Sequence, residues 1–249
     1  MAIGNAVGSV TANIGLIMAI SILAIPSIIK RKDYVVKICL MLGAAIVIVS
    51  FGLSGQVGIV ASVILAALFC ANIWENLHAA KRGAAEQKET IERPPHDGKT
   101  ITINILKFLF GTAGIVIGAK LLVSSGSSLA STAGISDRII SVTLIAIGTS
   151  LPELVTTITA IAKKQSDLSV GNIIGANIID LTLILPICAF LSGRALPVSA
   201  QIATYDFPAV LIVGVVACIP PLFTKKFQRW QGVALLVLYV VYLTLTTLA

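Results

Sequence analysis

The stretch "AIGTSLPELVTTITAIAKKQSDLSVGNIIGANIIDLTLILPI", residues 146–187, decides how the rest of the chain is read. It holds two apolar runs, and each carries a carboxylate near its middle: Glu153, directly after Pro152, and Asp180. In a water-soluble protein neither acid would call for an explanation. If the runs cross a bilayer, both do. A charged side chain at the bilayer centre costs at least ~2.5–3.5 kcal/mol on insertion scales, so an acid held there is a functional candidate.

The rest of the sequence favours the bilayer. Of 249 residues, 57% are hydrophobic and 12% charged, and the mean hydropathy is +0.99; soluble domains carry about 25% charged residues. Apolar stretches recur at roughly 3–29, 36–53, 56–79, 104–131, 138–162, 168–191, 204–223 and 230–248, each long enough to cross a bilayer as a helix. The runs are continuous and do not alternate, which argues against a barrel. In lipid the backbone must then satisfy itself within helices. The fold class is an all-α polytopic membrane protein with about eight transmembrane helices.

The net charge of +7 could point to nucleic acid, but its placement does not. Fifteen of the 18 Lys and Arg fall near every second connection: residues 30–37, 81–107, 163–164 and 225–229. The remaining three are Lys120, inside a helix, with Arg138 and Arg194 in the intervening loops. This is the positive-inside distribution. It places the 81–103 loop in the cytoplasm, both termini on the far side, and the protein in the plasma membrane with lipid as its partner and no nucleic acid. Cys39, Cys70, Cys188 and Cys218 lie in apolar runs without a C-x-x-C and read as buried, inert thiols. His78 and His96 are too few and too far apart for zinc.

A repeat organises the chain. "AIGNAVGSVTANIGLIMAISIL" (2–23) matches "SVGNIIGANIIDLTLILPICAF" (169–190), pairing Gly4–Asn5 with Gly171–Asn172, Gly8 with Gly175 and Asn13 with Asp180. The offset is 167, the difference between 180 and 13. One copy starts in span one and the other in span six, so the two run in opposite directions through the membrane. Inverted repeats of this kind build secondary transporters with sites at the midplane. Residues 1–80 then read as three helices left from a first repeat, 81–103 as a cytoplasmic linker, and 104–249 as a five-helix second repeat. The spans at 104–162 have no counterpart in the first half; by this alignment a complete partner half needs roughly 65 residues before Met1. The chain is either a natural short form or, as is expected here, the larger, carboxyl-terminal part of a longer protein whose start was assigned at an internal methionine.

Of the 11 acids, only Glu153 and Asp180 sit at span centres; Glu75 and Asp206 lie near span ends. Thr149 and Ser150 precede Glu153 by four and three residues, so at helical spacing they share its face. Pro152 cannot donate its amide and clashes one turn earlier, at Gly148. The helix should break there, freeing carbonyls around Ala146–Thr149. Carbonyls, hydroxyls and a carboxylate make an all-oxygen site of the kind that suits calcium, which takes six to eight oxygen ligands, or sodium. Asn172, Ala176 and Asp180, and likewise Asn5, Ser9 and Asn13, form small or polar stripes at intervals of four. Asn5 and Asn172 read as inter-helix hydrogen-bonding groups. The G-x-x-x-G pairs Gly4/Gly8 and Gly171/Gly175 read as close helix packing.

"GTSLPE" followed by "GNIIGANIID" resembles the second repeat motif of the sodium/calcium exchanger family within the calcium/cation antiporters. "GNAVGSVTAN" resembles the tail of the first, and "GAKLLVSSGSSLASTAGIS" (118–136) the helix before the motif. The resemblance implies two inverted five-helix halves exchanging sodium for calcium at one central site. It implies that Glu153 ligates both ions, that Thr149 and Ala146 offer carbonyls and Ser150 its hydroxyl, and that Ser9, Asn13 and Asp180 complete the sodium set. The ions are cargo, and no cofactor is expected. Three departures stand out: the first-repeat glutamate motif is missing, Val10 replaces a usual Asn, and Ala176 a usual Ser. The expected function is cation antiport by alternating access. Proton/calcium exchange is the alternative, since a proton can also neutralise a desolvated carboxylate; a non-transporting membrane subunit or fragment is another. An enzyme is not expected, because no paired catalytic Asp, Ser–His constellation or metal-binding histidine pair occurs.

Overall fold

The computed structural model describes residues 2–26, 28, 31–88, 98–135, 146–164 and 166–248. Among these, seven helices are long and apolar enough to cross a membrane. α1 runs as Ala2–Ala12, a π segment Asn13–Met18, and Ala19–Ala24. α2 is Arg31–Gly52, α3 Ile59–Lys88 and α4 Gly98–Thr132. Two shorter helices follow, α5 (Ala146–Thr149) and α6 (Leu151–Ala162). α7 comprises Ser166–Ile179, a π segment Asp180–Ile184, and Leu185–Ser192. α8 is a π segment Ile202–Asp206 running into Phe207–Thr224, and α9 is Arg229–Leu248. Of the span expected at 138–162, residues 138–145 lie outside the described ones, and the remainder is α5 and α6.

The interruptions have local causes. Pro152, Pro186 and Pro208 each sit in the first turn of a helix that restarts after an irregular residue or a π segment. Proline is tolerated in a first turn, where its missing amide is not needed. Upstream, the ladder must reorganise around the absent donor, and a π-bulge is one way to do so. The π segment of α1 has no proline. It contains Gly15, where α9 comes so close that a Cβ would lie 2.8 Å from Tyr239 Cβ.

α1 is the axis of the bundle. Within its membrane window 83% of residues are buried, against 50% for α7 and none for α4. Ile14, Ile17, Met18 and Ile22 of α1 pack with Ile173 and Ile174 of α7, Met41 and Ile48 of α2, and Phe207 of α8 in one apolar core. Two short backbone pairings tie the connections. β1 (Gln56–Val57) pairs antiparallel with β2 (Leu196–Pro197), joining the α2–α3 loop to the α7–α8 loop. Ile28 pairs with Lys226, joining the α1–α2 loop to the α8–α9 loop. Exchanging α1–α3 with α7–α9 maps one pairing onto the other.

Near the end of α8, Pro220 and Pro221 lie inside the helix and cannot donate to Val216 and Ala217 one turn back. The fully buried Gln231 of α9 supplies what is missing. Its Nε2 donates to Val216 O at 3.1 Å and to Ala217 O at 3.4 Å, while its Oε1 accepts from Gln228 N at 2.9 Å. One side chain thus satisfies backbone groups on α8 and on the connection that leads into α9.

Three expectations need correction. Residues 81–88 and 98–103, read as linker, are helical ends of α3 and α4; "AAKRGAAEQK" is rich in strong helix formers, which outweigh its polarity. Residues 89–97 lie outside the described ones. Cys39 and Cys70 are exposed on the outer surface of the bundle, and only Cys218 is fully buried, because an apolar run in lipid need not face protein. Gly4 packs as expected, 3.3 Å from Ile202 Cδ1 for a built Cβ, but nothing lies within 4 Å of a Cβ at Gly171 or Gly175. The same glycine spacing therefore makes a close contact in α1 and none in α7.

Candidate cation site

Ser150 has φ −94° and ψ 5°, which breaks the chain between α5 and α6 at the position that Pro152 dictates. Glu153 falls in the first turn of α6, where a carboxylate is favoured by the helix dipole. Ser150 itself is buried and faces α1, its Oγ 3.4 Å from Ser9 Oγ. Ser9 donates to Asp180 Oδ2 at 3.2 Å. A serine has one hydrogen to give, so Ser150 must be the donor to Ser9. The result is a chain from Ser150 through Ser9 to Asp180 that joins the α5–α6 break, α1 and α7.

Asn13 and Asp180, paired in the repeat, open the π segments of α1 and α7. Asn13 is fully buried, one turn along α1 from Ser9, and its Nδ2 donates to Asn177 Oδ1 at 2.9 Å. Asp180 is half-buried and within electrostatic reach of Glu153. Two acceptors are left over: Glu153 Oε2 and Asn13 Oδ1 are buried without a hydrogen-bond partner, and so is the Thr157 hydroxyl, one turn beyond Glu153. Buried polar atoms are normally satisfied. An orphaned carboxylate oxygen within electrostatic reach of a second carboxylate, with unpartnered neutral oxygens on α1 and α6, makes a place that can hold a cation.

Thr149 is arranged otherwise. Its exposed side chain lines a cleft of about 590 Å³ toward α4, with Gly148, Pro152, Val123 and Lys120. The break at Ser150 cancels the helical register that would have placed it on the face of Glu153. Gly148 is needed there, since a Cβ would run into Val123 of α4. Ala146 opens α5, where its backbone carbonyl is the group of interest. Among the described residues no three His, Cys, Asp or Glu side chains come together, so any cation here must be held by the acid pair and neutral oxygens.

Two polar residues escaped the sequence reading. Asn177 is fully buried at the α1–α7 contact; its place inside "GANIID" was the only signal. Asp206, read as near a span end, is 8% exposed, accepts from Tyr242 OH at 2.9 Å, and lies against Gly4 of α1. Asn172, as expected, bridges helices: its Nδ2 donates to Thr156 Oγ1 of α6 at 2.9 Å. Asn5 is exposed.

A bundle of membrane helices with broken elements meeting at oxygen-bearing side chains defines a polytopic membrane transporter. Residues 103–248 match the family described as sodium/calcium exchanger protein. An uncharacterized membrane protein of Methanocaldococcus jannaschii is 30% identical over 97% of this chain and 75% of its own length. The sodium/calcium exchanger MaX1 of Methanosarcina acetivorans is 37% identical over 56% of this chain and 39% of its own. A solved structure of the sodium-calcium exchanger NCX_Mj, soaked with 10 mM Na+ and zero Ca2+, superposes with a TM-score of 0.78 at 28% identity, covering 98% of this chain and 76% of that one. The chain belongs to the sodium/calcium exchanger family.

Proposed function

We propose that the protein exchanges sodium for calcium, with Glu153 and Asp180 as the charged ligands and Ser9, Asn13, Ser150 and the carbonyls of Ala146 and Thr149 as neutral ones. The observation that carries this is the buried, unpartnered Glu153 Oε2 beside the Ser150–Ser9–Asp180 chain. A carboxylate oxygen kept inside a membrane without a hydrogen-bond donor is a place for a positive charge. Two carboxylates balance one divalent ion, or two monovalent ones, so calcium and sodium compete for one place. An acidic site left empty resists crossing the apolar barrier, and this couples the two fluxes. Alternating access would follow from rearrangement around the broken helices. The basic connections, including the 81–103 segment, would face the cytoplasm.

The test is sodium-driven ⁴⁵Ca uptake into vesicles. Glu153→Gln keeps the shape and removes a charge, and calcium affinity depends on the charge of the ligands. Uptake is expected to fall at least about 100-fold, the scale of losing a buried charge partner of about 3 kcal/mol. Wild-type uptake by Glu153→Gln would reject the site. Uptake driven by a pH gradient, and indifferent to sodium, would assign proton exchange instead.

A further inference from the structure

The amide of Asn13 can meet a cation in two ways, and only one is useful. Its oxygen accepts and would bind; its NH2 donates and would repel. Which half faces a site depends on what the other half is bonded to. Here the Nδ2 is taken by Asn177 Oδ1 at 2.9 Å, and Oδ1 is buried without a partner.

Asn177 has the same ambiguity, and it is resolved one residue further away. Its Nδ2 faces Met41 Sδ of α2 at 4.0 Å, and both residues are buried. A thioether sulfur accepts weakly and cannot donate. It therefore keeps the NH2 of Asn177 toward α2 and turns Asn177 Oδ1 toward α1. That oxygen in turn claims the NH2 of Asn13. The orientation passes from Met41 through Asn177 to Asn13, across three helices.

The repeat contains its own control. At the offset of 167 the counterpart of Asn13 is Asp180, and the counterpart of Asn177 is Val10. A carboxylate presents oxygen whichever way it turns, so Asp180 needs no amide to orient it. Val10 is buried and apolar. The ligand with a wrong face, Asn13, receives an amide partner from the opposite half; for Asp180, which has none, the repeat puts the apolar Val10 in the corresponding place.

We propose that Asn177, itself held by Met41, is a positioning residue that fixes the carbonyl oxygen of Asn13, and not its NH2, as a cation ligand. This rests on the reading of the site as a cation site.

A double-mutant cycle on the purified full chain tests it, with ⁴⁵Ca and sodium binding as one readout and hydrogen exchange of the ¹⁵N-labelled Asn13 side-chain amide as the other. Asn177→Val, which copies Val10, is expected to speed that amide exchange and to weaken cation binding, each about tenfold, the scale of one hydrogen bond. In an Asn13→Asp background the same Asn177→Val change is expected to cost less than about twofold, since the ligand no longer needs orienting. Met41→Leu, which conserves volume, is expected to weaken binding about two- to threefold with Asn13 present and not at all with Asn13→Asp. Equal losses in both backgrounds would mean that Asn177 only supports the fold and would overturn the proposal. So would an Asn13 amide that stays protected in Asn177→Val. If the wild-type chain binds neither ion while its amide exchange follows the expected pattern, the cation-site reading fails, and the ligand role of Asn13 with it.

Discussion

α1 and α7 begin from the same short pattern and end in different surroundings. Both open a π segment at the equivalent residue, Asn13 or Asp180. α1, however, threads the interior, while α7 is half covered. Gly4 and Gly8 of α1 meet Ile202 and Tyr242, whereas Gly171 and Gly175 of α7 meet nothing within 4 Å. The polar residue follows the same division: the fully buried position holds a neutral amide, and the half-buried one the carboxylate. Moving an ionised group out of water costs far more than moving an amide. The motif thus prescribes where the backbone yields, and the neighbours decide how much charge that place can carry.

Exchanging the two ligands, Asn13→Asp with Asp180→Asn, is the strongest way to break this comparison. Total charge is unchanged, but the acid moves to the fully buried position and loses the Ser9 donor. Sodium-driven uptake is expected to drop about 100-fold, about 2.7 kcal/mol. Wild-type uptake would mean that the halves are interchangeable and that burial does not select the ligand. A second difference lies in the hairpins: α8 has Pro220 and Pro221, whereas α2 has no proline. Gln231→Leu should strand the Val216 and Ala217 carbonyls and destabilise the protein by about 2–5 kcal/mol, read as a lower thermal midpoint in detergent. An unchanged midpoint would show that water or lipid headgroups reach those carbonyls.

Smaller effects sharpen the contrast between the glycine faces. Gly15→Ala in α1 must push Tyr239 aside and is expected to cost about 1–3 kcal/mol through overpacking. Gly171→Ala in α7 enters open space and should stabilise by up to about 1 kcal/mol through helix propensity. Shifts of opposite sign in a thermal assay, the larger at Gly15, check both, and a loss at Gly171 would reveal an unseen neighbour on that face. The smallest change is Tyr242→Phe, which removes the donor to Asp206. Hydrogen bonds between membrane helices average about 0.6 kcal/mol, so its midpoint should shift only slightly.

The sequence exposes some of this architecture and hides the rest for physical reasons. Glu153 and Asp180 stand out because an acid in a long apolar run is costly, and the break at Ser150 because Pro152 has only a few tolerated places. The pairing of Asn13 with Asp180 is legible because the repeat aligns them. Asn177 is not: its partners, Asn13 and Met41, are 164 and 136 residues away, and no local pattern marks them. Asp206 looked peripheral because distance from a span end says nothing about what leans over it. The Thr149 side chain is hard to read because helical spacing puts it on the face of Glu153, whereas the helix stops at Ser150 and the side chain lines the cleft toward α4. The helical ends within 81–103 are hard to read because their polarity suggests a loop while their helix-forming residues favour helix.

Gln231 also bears on how the protein is made. While α8 is alone in the bilayer, the carbonyls of Val216 and Ala217 have no donor, because Pro220 and Pro221 stand where the donors should be. The missing donor is encoded only ten residues after Pro221. Insertion of α8 and α9 as one hairpin would spare those carbonyls exposure to lipid, because an unsatisfied backbone group in hydrocarbon is costly. A ribosome stalled between them would leave α8 with two bare carbonyls in oil, a state that quality-control proteases could recognise.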